Sequence, residues 1–365
     1  MFKIYPCNIL LITISFQWHA CAILWLYYSI FVSTKFIILI QPPIDIESLW
    51  SLSNEQFLPT CKKVFQWQVQ HNPVYQKWVQ LMKHQEQLTN EVNQIPFLPI
   101  SFFKTHDVFV GDQPNNLFES SGTTQDVVSK HWVSDTAIYE ASFLKCFQLF
   151  YGNPADYCVI GLLPSYLERN HSSLVYMVNA LIEKSNHPDS GFYLDDFASL
   201  NKVLKKLENQ KQKVWLIGVS FALIDFSLAF PQQLNNTIVV ETGGMKGRKQ
   251  ELTKTELHTL LATQLGTQKI HSEYGMTELL SQAYSKGDGI FICPPWMKVL
   301  VSDEDDPTLL KSIGRGVLHI IDLANIYSCS FIATQDLGEI NEDGSFQVLG
   351  RVDASDRRGC SLLVV

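Results

Sequence analysis

Hydrophobic and polar positions follow two recurring patterns along this chain. Residues 157–163 and Val214–Val219 are almost continuously apolar, which is typical of strands that a sheet buries on both faces. Residues 237–240 predict another buried strand, and residues 269–271 predict a further short strand. Together these four segments predict the centre of a buried sheet.

Longer segments between these strands carry apolar residues at helical spacing. Residues 135–151, Ser173–Ser185 and 249–264 predict helices, and residues 51–88 predict a helix that Pro73 divides in two. Strands that alternate with helices predict a mainly parallel sheet flanked by helices, so the predicted fold class is α/β. After Gly316 the pattern changes to short strands and turns.

The N-terminal segment differs from the rest of the chain. No Asp, Glu, Lys or Arg lies between Lys3 and Lys35, and the apolar run continues to Pro42 and Pro43. A span of about 20 apolar residues is long enough to cross a bilayer. Residues 1–43 are therefore a membrane anchor, an uncleaved signal segment or an artefact of start-site choice, and we favour the last. A single domain is predicted over residues 44–365.

Composition limits the partners and the compartment. Apolar residues make up 46% of the chain, and the formal net charge is −8, which argues against a nucleic-acid partner because a phosphate backbone requires a basic surface. The eight cysteines include no C-x-x-C pair and no Cys–His set at zinc spacing. We therefore expect a reducing, cytoplasmic location, with most thiols buried.

One loop consists only of small residues. Its centre is Ser120, Ser121, Gly122, Thr123 and Thr124, which together offer hydroxyls and backbone N–H groups. These groups suit an anion such as phosphate, although a Ser/Thr-rich turn without a ligand explains the same residues. No Gly-Lys-Ser/Thr follows, so the loop is not a Walker-type P-loop.

Three later segments combine glycine with residues that can carry chemistry. Gly243 and Gly244 follow the predicted strand 237–240, and the second segment, E-Y-G-M-T-E at 273–278, follows the strand that ends near Ile270. The third segment consists of T-Q-D-L-G and G-R-V-D, which begin at Thr334 and Gly350. Ligands of open α/β sheets bind beyond the carboxyl ends of strands, but each segment alone is also compatible with an ordinary turn.

In this order, the five motifs resemble the adenylate-forming superfamily, which includes acyl-CoA synthetases, aryl-CoA ligases, peptide-synthetase adenylation domains and firefly-type luciferases. The finer resemblance is to the bacterial acyl-protein synthetases of the LuxE type. It rests on IPFLPISFFKTHDV, SSGTT, ETGGMKG, HSEYGMTELLSQAY and GRVDASDRRGC, and it covers residues 44–365. It implies the large domain of the superfamily.

The resemblance implies that ATP binds along these motifs. Ser120 through Thr124 would hold the β- and γ-phosphates and guide the departure of pyrophosphate. Gly243 and Gly244 would form the turn against the adenine, and Tyr274 would stack on the adenine ring.

Further roles follow for the later motifs. Thr277 would bond the α-phosphate, and Glu278 would hold Mg²⁺. Asp336 would accept hydrogen bonds from both ribose hydroxyls, as a carboxylate can. Arg351 would lie near the ribose and phosphate, and Asp353 falls where the superfamily has its hinge.

The implied activity is ATP-dependent activation of a fatty acid, or another carboxylate, to acyl-AMP with release of pyrophosphate. The acyl group would then pass to Cys360 as a thioester, and from there to a partner such as a reductase or a carrier protein. The expected cofactors are ATP and Mg²⁺. Apolar residues within 165–177 and 220–230 are candidates for the acyl pocket, although they could equally belong to the core.

Two departures from the superfamily keep alternatives open. Gln125 stands where a glycine usually follows the two threonines, and the smaller lysine-bearing domain that follows the hinge is expected to be absent. The alternatives are an acyl- or aryl-CoA ligase and a non-catalytic nucleotide-binding subunit. The N-terminal run alone would suit a membrane-anchored interaction protein, so membrane contact stays undecided.

Overall fold

A computed structural model describes residues 40–82, 91–111, 114, 116–120, 127–163, 171–243, 252–303 and 309–352. The N-terminal apolar segment, Ser121 to Thr124, Gly244, Asp353 and Cys360 lie outside these residues. In the described ranges no helix is long and apolar enough to cross a membrane.

The described helices alternate with strands over most of the chain. They are α1 (Ile46–Leu49), α2 (Asn54–His71), α3 (Pro73–Leu81), α4 (Phe102–Thr105), α5 (Thr136–Tyr151), α6 (Ser173–Ser185), α7 (Phe197–Asn209), α8 (Ser220–Ala229) and α9 (Lys254–Leu265), with short 3-10 turns at Val92–Gln94 and Pro154–Asp156.

The described strands become more frequent toward the C-terminal half. They are β1 (Leu98–Pro99), β2 (Asn116–Glu119), β3 (Lys130–Val133), β4 (Cys158–Leu162), β5 (Gly191–Phe192), β6 (Val214–Val219), β7 (Thr237–Thr242), β8 (His271–Tyr274), β9 (Ala283–Ser285), β10 (Ile290–Ile292), β11 (Met297–Ser302), β12 (Leu310–Lys311), β13 (Gly314–Asp322), β14 (Phe331–Ile340) and β15 (Phe346–Arg351).

A parallel half-sheet contains all four predicted strands. Strands β5, β4, β6, β7 and β8 lie side by side in that order and are parallel throughout. Every residue of β4 and of β6 is buried, as their continuous apolar runs predict. The α/β class with flanking helices is thus confirmed.

Strands β9 to β15 form an antiparallel half of the same sheet that begins earlier than predicted, and β1 pairs parallel with β14. The antiparallel half starts at β9, well before Gly316, and β13 and β14 are nine and ten residues long. Glycines made these strands look like turns in the sequence. A Cβ at Gly316 would lie 1.9 Å from the carbonyl oxygen of Ser302, and one at Gly338 would lie 2.5 Å from that of Gln347. Both glycines therefore permit close strand approach instead of chain reversal.

Capping residues account for most helix boundaries. Asn72 ends α2, and its side chain accepts hydrogen bonds from Val74 and Tyr75 at the start of α3, which confirms the predicted break at Pro73. Helix α6 has the predicted bounds, with Ser172 as its N-cap.

The structure corrects the predicted elements in three respects: the start of one helix, two helices that were not predicted, and the end of one strand. The helix predicted from residue 249 begins at Lys254, because Thr253 and Glu256 form a capping box there. Helices α7 and α8 were not predicted as helices, and α8 is so uniformly apolar that it has no amphipathic pattern. Strand β8 covers His271–Tyr274, so Tyr274 ends a strand and does not belong to the loop beyond it.

Candidate active site

A cavity of about 560 Å³ opens beyond the carboxyl ends of β7 and β8. Its wall brings together predicted site residues from distant parts of the chain: Ser120, Gly243, Thr277, Glu278 and Arg351. This is the edge of a parallel sheet at which α/β proteins bind ligands. The volume lies within the usual range for small-molecule sites.

The loop of small residues belongs to a β-hairpin. Strands β2 and β3 pair antiparallel as a separate two-stranded sheet, and the loop joins them. At its base the Ser120 N–H donates to the Ser129 carbonyl at 3.0 Å, and the Ser129 N–H donates to Ser120 Oγ at 2.9 Å. Both serines line the cavity, so the base of the hairpin forms part of the cavity wall.

The turn that carries Thr277 and Glu278 is held by two buried side chains. His131 Nδ1 donates to the Thr277 carbonyl at 2.7 Å, and Asn325 Nδ2 donates to the Glu278 carbonyl at 2.8 Å. His131 Nε2 lies 3.0 Å from Asn325 Oδ1, which links the two supports. Burial lowers the pKa of His131 to about 4. The contacts with Thr277 and Asn325 oppose that effect, because both ring nitrogens face acceptor oxygens, and His131 holds the turn in place through them.

Asp322 fixes the end of the same turn. Its Oδ2 accepts hydrogen bonds from the backbone N–H groups of Leu280 and Ser281 at 2.8 and 3.0 Å. Its Oδ1 accepts from Ser281 Oγ at 2.6 Å and from the Ala324 N–H at 3.1 Å. The carboxylate thus locks the turn after Glu278 onto the segment that follows β13.

The Glu278 side chain is 5% exposed, yet it lines the cavity. Burial raises its pKa, and the Ser129 hydroxyl and the charges of Arg351 and Lys104 partly offset that effect. In the described part of the chain no Lys or Arg forms an ion pair with it. A cavity-facing carboxylate without a bonded cation suits Mg²⁺, which commonly binds through one or two carboxylates plus substrate phosphates.

Two distant motifs meet through strand pairing. Strands β14 and β15 place Asp336 opposite Arg351, and Arg351 Nε lies 3.3 Å from Asp336 Oδ1. The Tyr274 hydroxyl donates to Asp336 Oδ2 at 2.9 Å. From the sequence, T-Q-D-L-G was interpreted as a turn, but this motif forms the middle of β14. The pair lies beside the cavity and reaches it through Arg351.

Tyr274 is 8% exposed and belongs to an aromatic cluster. Its ring centre lies 5.8 Å from that of Phe291 and 5.5 Å from that of Phe346. The hydrogen bond to Asp336 and these two contacts hold the ring in place.

Gly243 directly follows β7 and adopts a conformation that suits glycine. Its φ is +71°, and its carbonyl accepts a hydrogen bond from Ser220 Oγ at 2.7 Å. No heavy atom lies within 4 Å of the place where a Cβ would stand, so φ and not space favours glycine here.

Sequence reasoning missed His131, Asp322 and Asn325. The last two belong to I-D-L-A-N, directly after the apolar stretch of β13, and a polar pair in that position was a usable signal. His131 had no such signal, because its partners lie 146 and 194 residues away in sequence.

A larger cavity of about 790 Å³ shares Ile100, Ser101 and Gln335 with the first. Its wall is mostly apolar and includes Trp78 and Phe97. None of the predicted site residues that the structure describes lines it. The candidate chemistry therefore belongs to the smaller cavity.

No family model matches the chain. The chain is 22% identical over 344 residues to the long-chain-fatty-acid–luciferin-component ligase of Vibrio harveyi, covering 86% of this chain and 89% of that protein.

Two solved structures show the fold. One is a 2-hydroxyisobutyryl-CoA ligase in complex with R3-HIB-AMP, with a TM-score of 0.60, 11% identity, and coverage of 87% of this chain and 73% of that chain. The other is the ATP-bound RpMatB-BxBclM chimera B3, with a TM-score of 0.50, 15% identity, and coverage of 67% and 50%. The chain thus spans half of the chimera's length. The chain thus resembles the adenylate-forming superfamily: it shares the fold of these two structures and is similar in sequence to the Vibrio harveyi ligase over most of its length.

Proposed function

We propose that this protein activates a fatty acid, or another carboxylic acid, with ATP to form an acyl-adenylate and pyrophosphate. One observation carries the proposal: a single cavity at the carboxyl ends of β7 and β8 unites Ser120, Thr277, Glu278 and Arg351. Hydroxyls, a guanidinium and a buried carboxylate are the groups that a nucleotide and its metal ion require.

The reaction needs positioning and charge neutralisation more than a protein nucleophile. A carboxylate oxygen of the acid attacks the α-phosphorus of ATP and forms the new P–O bond. The bond from the α-phosphorus to the bridging oxygen breaks, and pyrophosphate leaves with the electron pair. When bound at Glu278, Mg²⁺ supplies charge stabilisation to the phosphates.

The chain's own groups would divide the nucleotide between them. Thr277 donates its hydroxyl to the α-phosphate, while Ser120 and the rest of its loop hold the β- and γ-phosphates. Arg351 would lie near the ribose and phosphate, and Asp336 would accept hydrogen bonds from the ribose hydroxyls. The turn at Gly243 and Gly244 would bind the adenine; the resemblance gives Tyr274 the same role, but its ring packs against Phe291 and Phe346 and does not line the cavity.

In the second half of the proposal, the thiolate of Cys360, which lies outside the described residues, attacks the acyl carbon of the adenylate; the thioester C–S bond forms, the bond from that carbon to the phosphate oxygen breaks, and AMP leaves. The curated relative's name supports a long-chain fatty acid as the substrate. The thiols within the described ranges support Cys360 indirectly. Burial raises the pKa of Cys158 to about 11 and those of Cys293 and Cys329 to about 12, and it also raises the pKa of Cys61 and Cys146. Such thiols are poor nucleophiles because the thiolate is the reactive form. A reductase or carrier protein would then receive the acyl group.

Carboxylate-dependent exchange of labelled pyrophosphate into ATP tests the first step. We expect exchange only when Mg²⁺ and a suitable acid are both present. Absence of exchange with a broad panel of acids would favour a non-catalytic nucleotide-binding subunit. Release of AMP that requires added CoA would instead identify an acyl-CoA ligase.

A further inference from the structure

The wall of the site cavity contains a second buried carboxyl group, Glu273, which the proposed reaction does not use. Glu273 precedes Tyr274 on β8, and its side chain is 8% exposed. Successive residues of a strand point to opposite faces, so Tyr274 faces the aromatic cluster and Glu273 faces away from it. Glu273 shares the cavity wall with Tyr139, Met177 and Gln282.

The neighbouring strand carries a glutamate in the opposite situation. Glu241 on β7 is 1% exposed and forms an ion pair with Lys254, with His258 Nε2 at 3.5 Å. Burial alone would raise the pKa of Glu241, but His258 and Lys254 outweigh burial and lower it to about 2. Glu241 is therefore an ordinary paired carboxylate, turned toward helix α9.

Glu273 has no such cation in the described part of the chain. Its hydrogen-bond partner there is the hydroxyl of Thr242, which stands opposite it in the β7–β8 register. Burial raises the pKa of Glu273 to about 7, and the nearby charge of Glu241 contributes. Its second oxygen, Oε1, lies over Gly275, where a Cβ would come within 2.4 Å. Gly275 thus leaves room for a carboxyl group that faces the cavity.

Gln282 adds a second acceptor in the same wall. The residue is 4% exposed, and its side-chain oxygen has no hydrogen-bond partner among the described residues. Buried polar atoms without partners are uncommon because leaving them unpaired is unfavourable. A cavity wall that keeps this unpaired acceptor beside the Glu273 carboxyl group, one oxygen of which already accepts from Thr242, is complementary to a ligand that donates hydrogen bonds.

We propose that Glu273 and Gln282 recognise a hydroxyl or amino group on the acid that is activated, so that the substrate is a hydroxy- or amino-substituted carboxylic acid and not a plain hydrocarbon acid. This inference rests on the proposed adenylation. Leu174 and Met177 on α6, inside the predicted pocket segment 165–177, supply the apolar part of the same wall. Residues 220–230 contribute mainly to the buried core as α8.

The test is pyrophosphate exchange with matched acids of equal chain length: unsubstituted, 2-hydroxy, 3-hydroxy, 2-amino and 3-amino. We expect the wild-type protein to prefer one substituted acid over the unsubstituted acid by about tenfold or more in kcat/KM, since unpaired buried acceptors disfavour an apolar substrate. Glu273→Leu should remove this preference while exchange with the unsubstituted acid persists.

A second variant separates the two kinds of substituent. Glu273→Gln keeps an acceptor but loses the negative charge, so it should retain a preference for a hydroxy acid and lose one for an amino acid. Glu241→Gln is the matched control on the neighbouring strand. Glu241→Gln should lower stability without changing the order of preference among acids. A changed order of preference in the Glu273 variants is therefore a result that a purely structural role of Glu273 would not produce.

Three outcomes would overturn the inference. A wild-type preference for the unsubstituted acid, or an unchanged order of preference in Glu273→Leu, would overturn it and leave adenylation standing. Absence of exchange with every acid would overturn the proposed function and this inference together.

Discussion

At the scale of single residues, Glu278 links burial directly to function. Its carboxylate is nearly inaccessible and lacks a bonded cation among the described residues, so a bound metal ion would supply the missing charge. We expect Glu278→Gln to reduce pyrophosphate exchange by about 10-fold or more, because a charge-assisted contact contributes about 1.5–3 kcal/mol. Asp336→Asn should have a similar effect through the ribose contact.

Glu339→Gln is the matched control, because Glu339 is exposed on β14 and does not line the cavity. Circular dichroism should show an unchanged fold in all three variants. Near-wild-type exchange in Glu278→Gln or Asp336→Asn would remove that residue from the proposed site.

Glu273 should also control how stability depends on pH. Its pKa is about 7 in the folded protein against an ordinary value of 4.5, so the folded state binds its proton more tightly than the unfolded state. The free energy of unfolding should therefore fall as pH rises through this window, by roughly 3 kcal/mol in total. The depressed pKa of Glu241 acts with the opposite sign and only at lower pH.

Urea unfolding at the two ends of this window measures the effect. Glu273→Gln does not titrate, so its stability should change much less between the two pH values. The same decline in the wild-type protein and in this variant would assign the pH dependence to other groups.

Cys360 can be tested through the chemistry of thioesters. After incubation with ATP and a labelled acid, label on the wild-type protein should be released by neutral hydroxylamine, which cleaves thioesters. Cys360→Ser should exchange pyrophosphate normally but carry no such label, because its hydroxyl is a much weaker nucleophile. If label that neutral hydroxylamine releases persists in Cys360→Ser, the acyl thioester lies on a different residue.

At the scale of structural elements, the turn after β8 depends on contacts from outside its own segment. Asp322 accepts four hydrogen bonds, three of them from backbone N–H groups. Asp322→Ala would leave these buried donors unpaired, so we expect a loss of about 3 kcal/mol or more in unfolding free energy. The KM for ATP should rise as well, because Glu278 would lose its fixed position.

Asp343 provides a control of the same residue type. It accepts from the Ser345 N–H and hydroxyl in an exposed turn far from the cavity in the β14–β15 connection. Asp343→Ala should leave the KM for ATP unchanged. An unaltered KM in Asp322→Ala would show that the turn keeps its shape without the carboxylate.

At the scale of the whole molecule, the apolar N-terminal segment is separable from the proposed chemistry. None of the proposed site residues precedes Pro43, and the described elements begin at α1. We expect a chain that starts at residue 44 to remain soluble and to exchange pyrophosphate at the rate of the full chain. Gel filtration and exchange assays check this. Aggregation of the shortened chain would indicate that residues 1–43 pack against the domain.

The sequence by itself determined the elements whose signals are local. Continuous apolar runs located β4 and β6, since a strand buried on both faces needs no partner-specific pattern. Helix α6 was predicted with its observed bounds from its apolar residues at helical spacing, and the structure adds Ser172 as its N-cap. The order of the motifs was likewise enough to indicate the resemblance to the superfamily and to place Thr277 and Glu278 just after a strand.

Only the tertiary structure decided which of these local signals meet. Asp336 contacts Tyr274 across 62 residues, and His131 reaches Asn325 across 194, through tertiary packing that one sequence does not specify. Gly316 and Gly338 look like turn residues in the sequence, but they lie in long strands where neighbouring backbones approach too closely for a Cβ. Glu241 and Glu273 lie on neighbouring strands and are the same residue type, so the sequence does not distinguish their protonation states. Their different states arise because Lys254 and His258 of α9 both pair with Glu241, whereas the charges that affect Glu273 are the more distant charge of Lys254 and the repelling charge of Glu241.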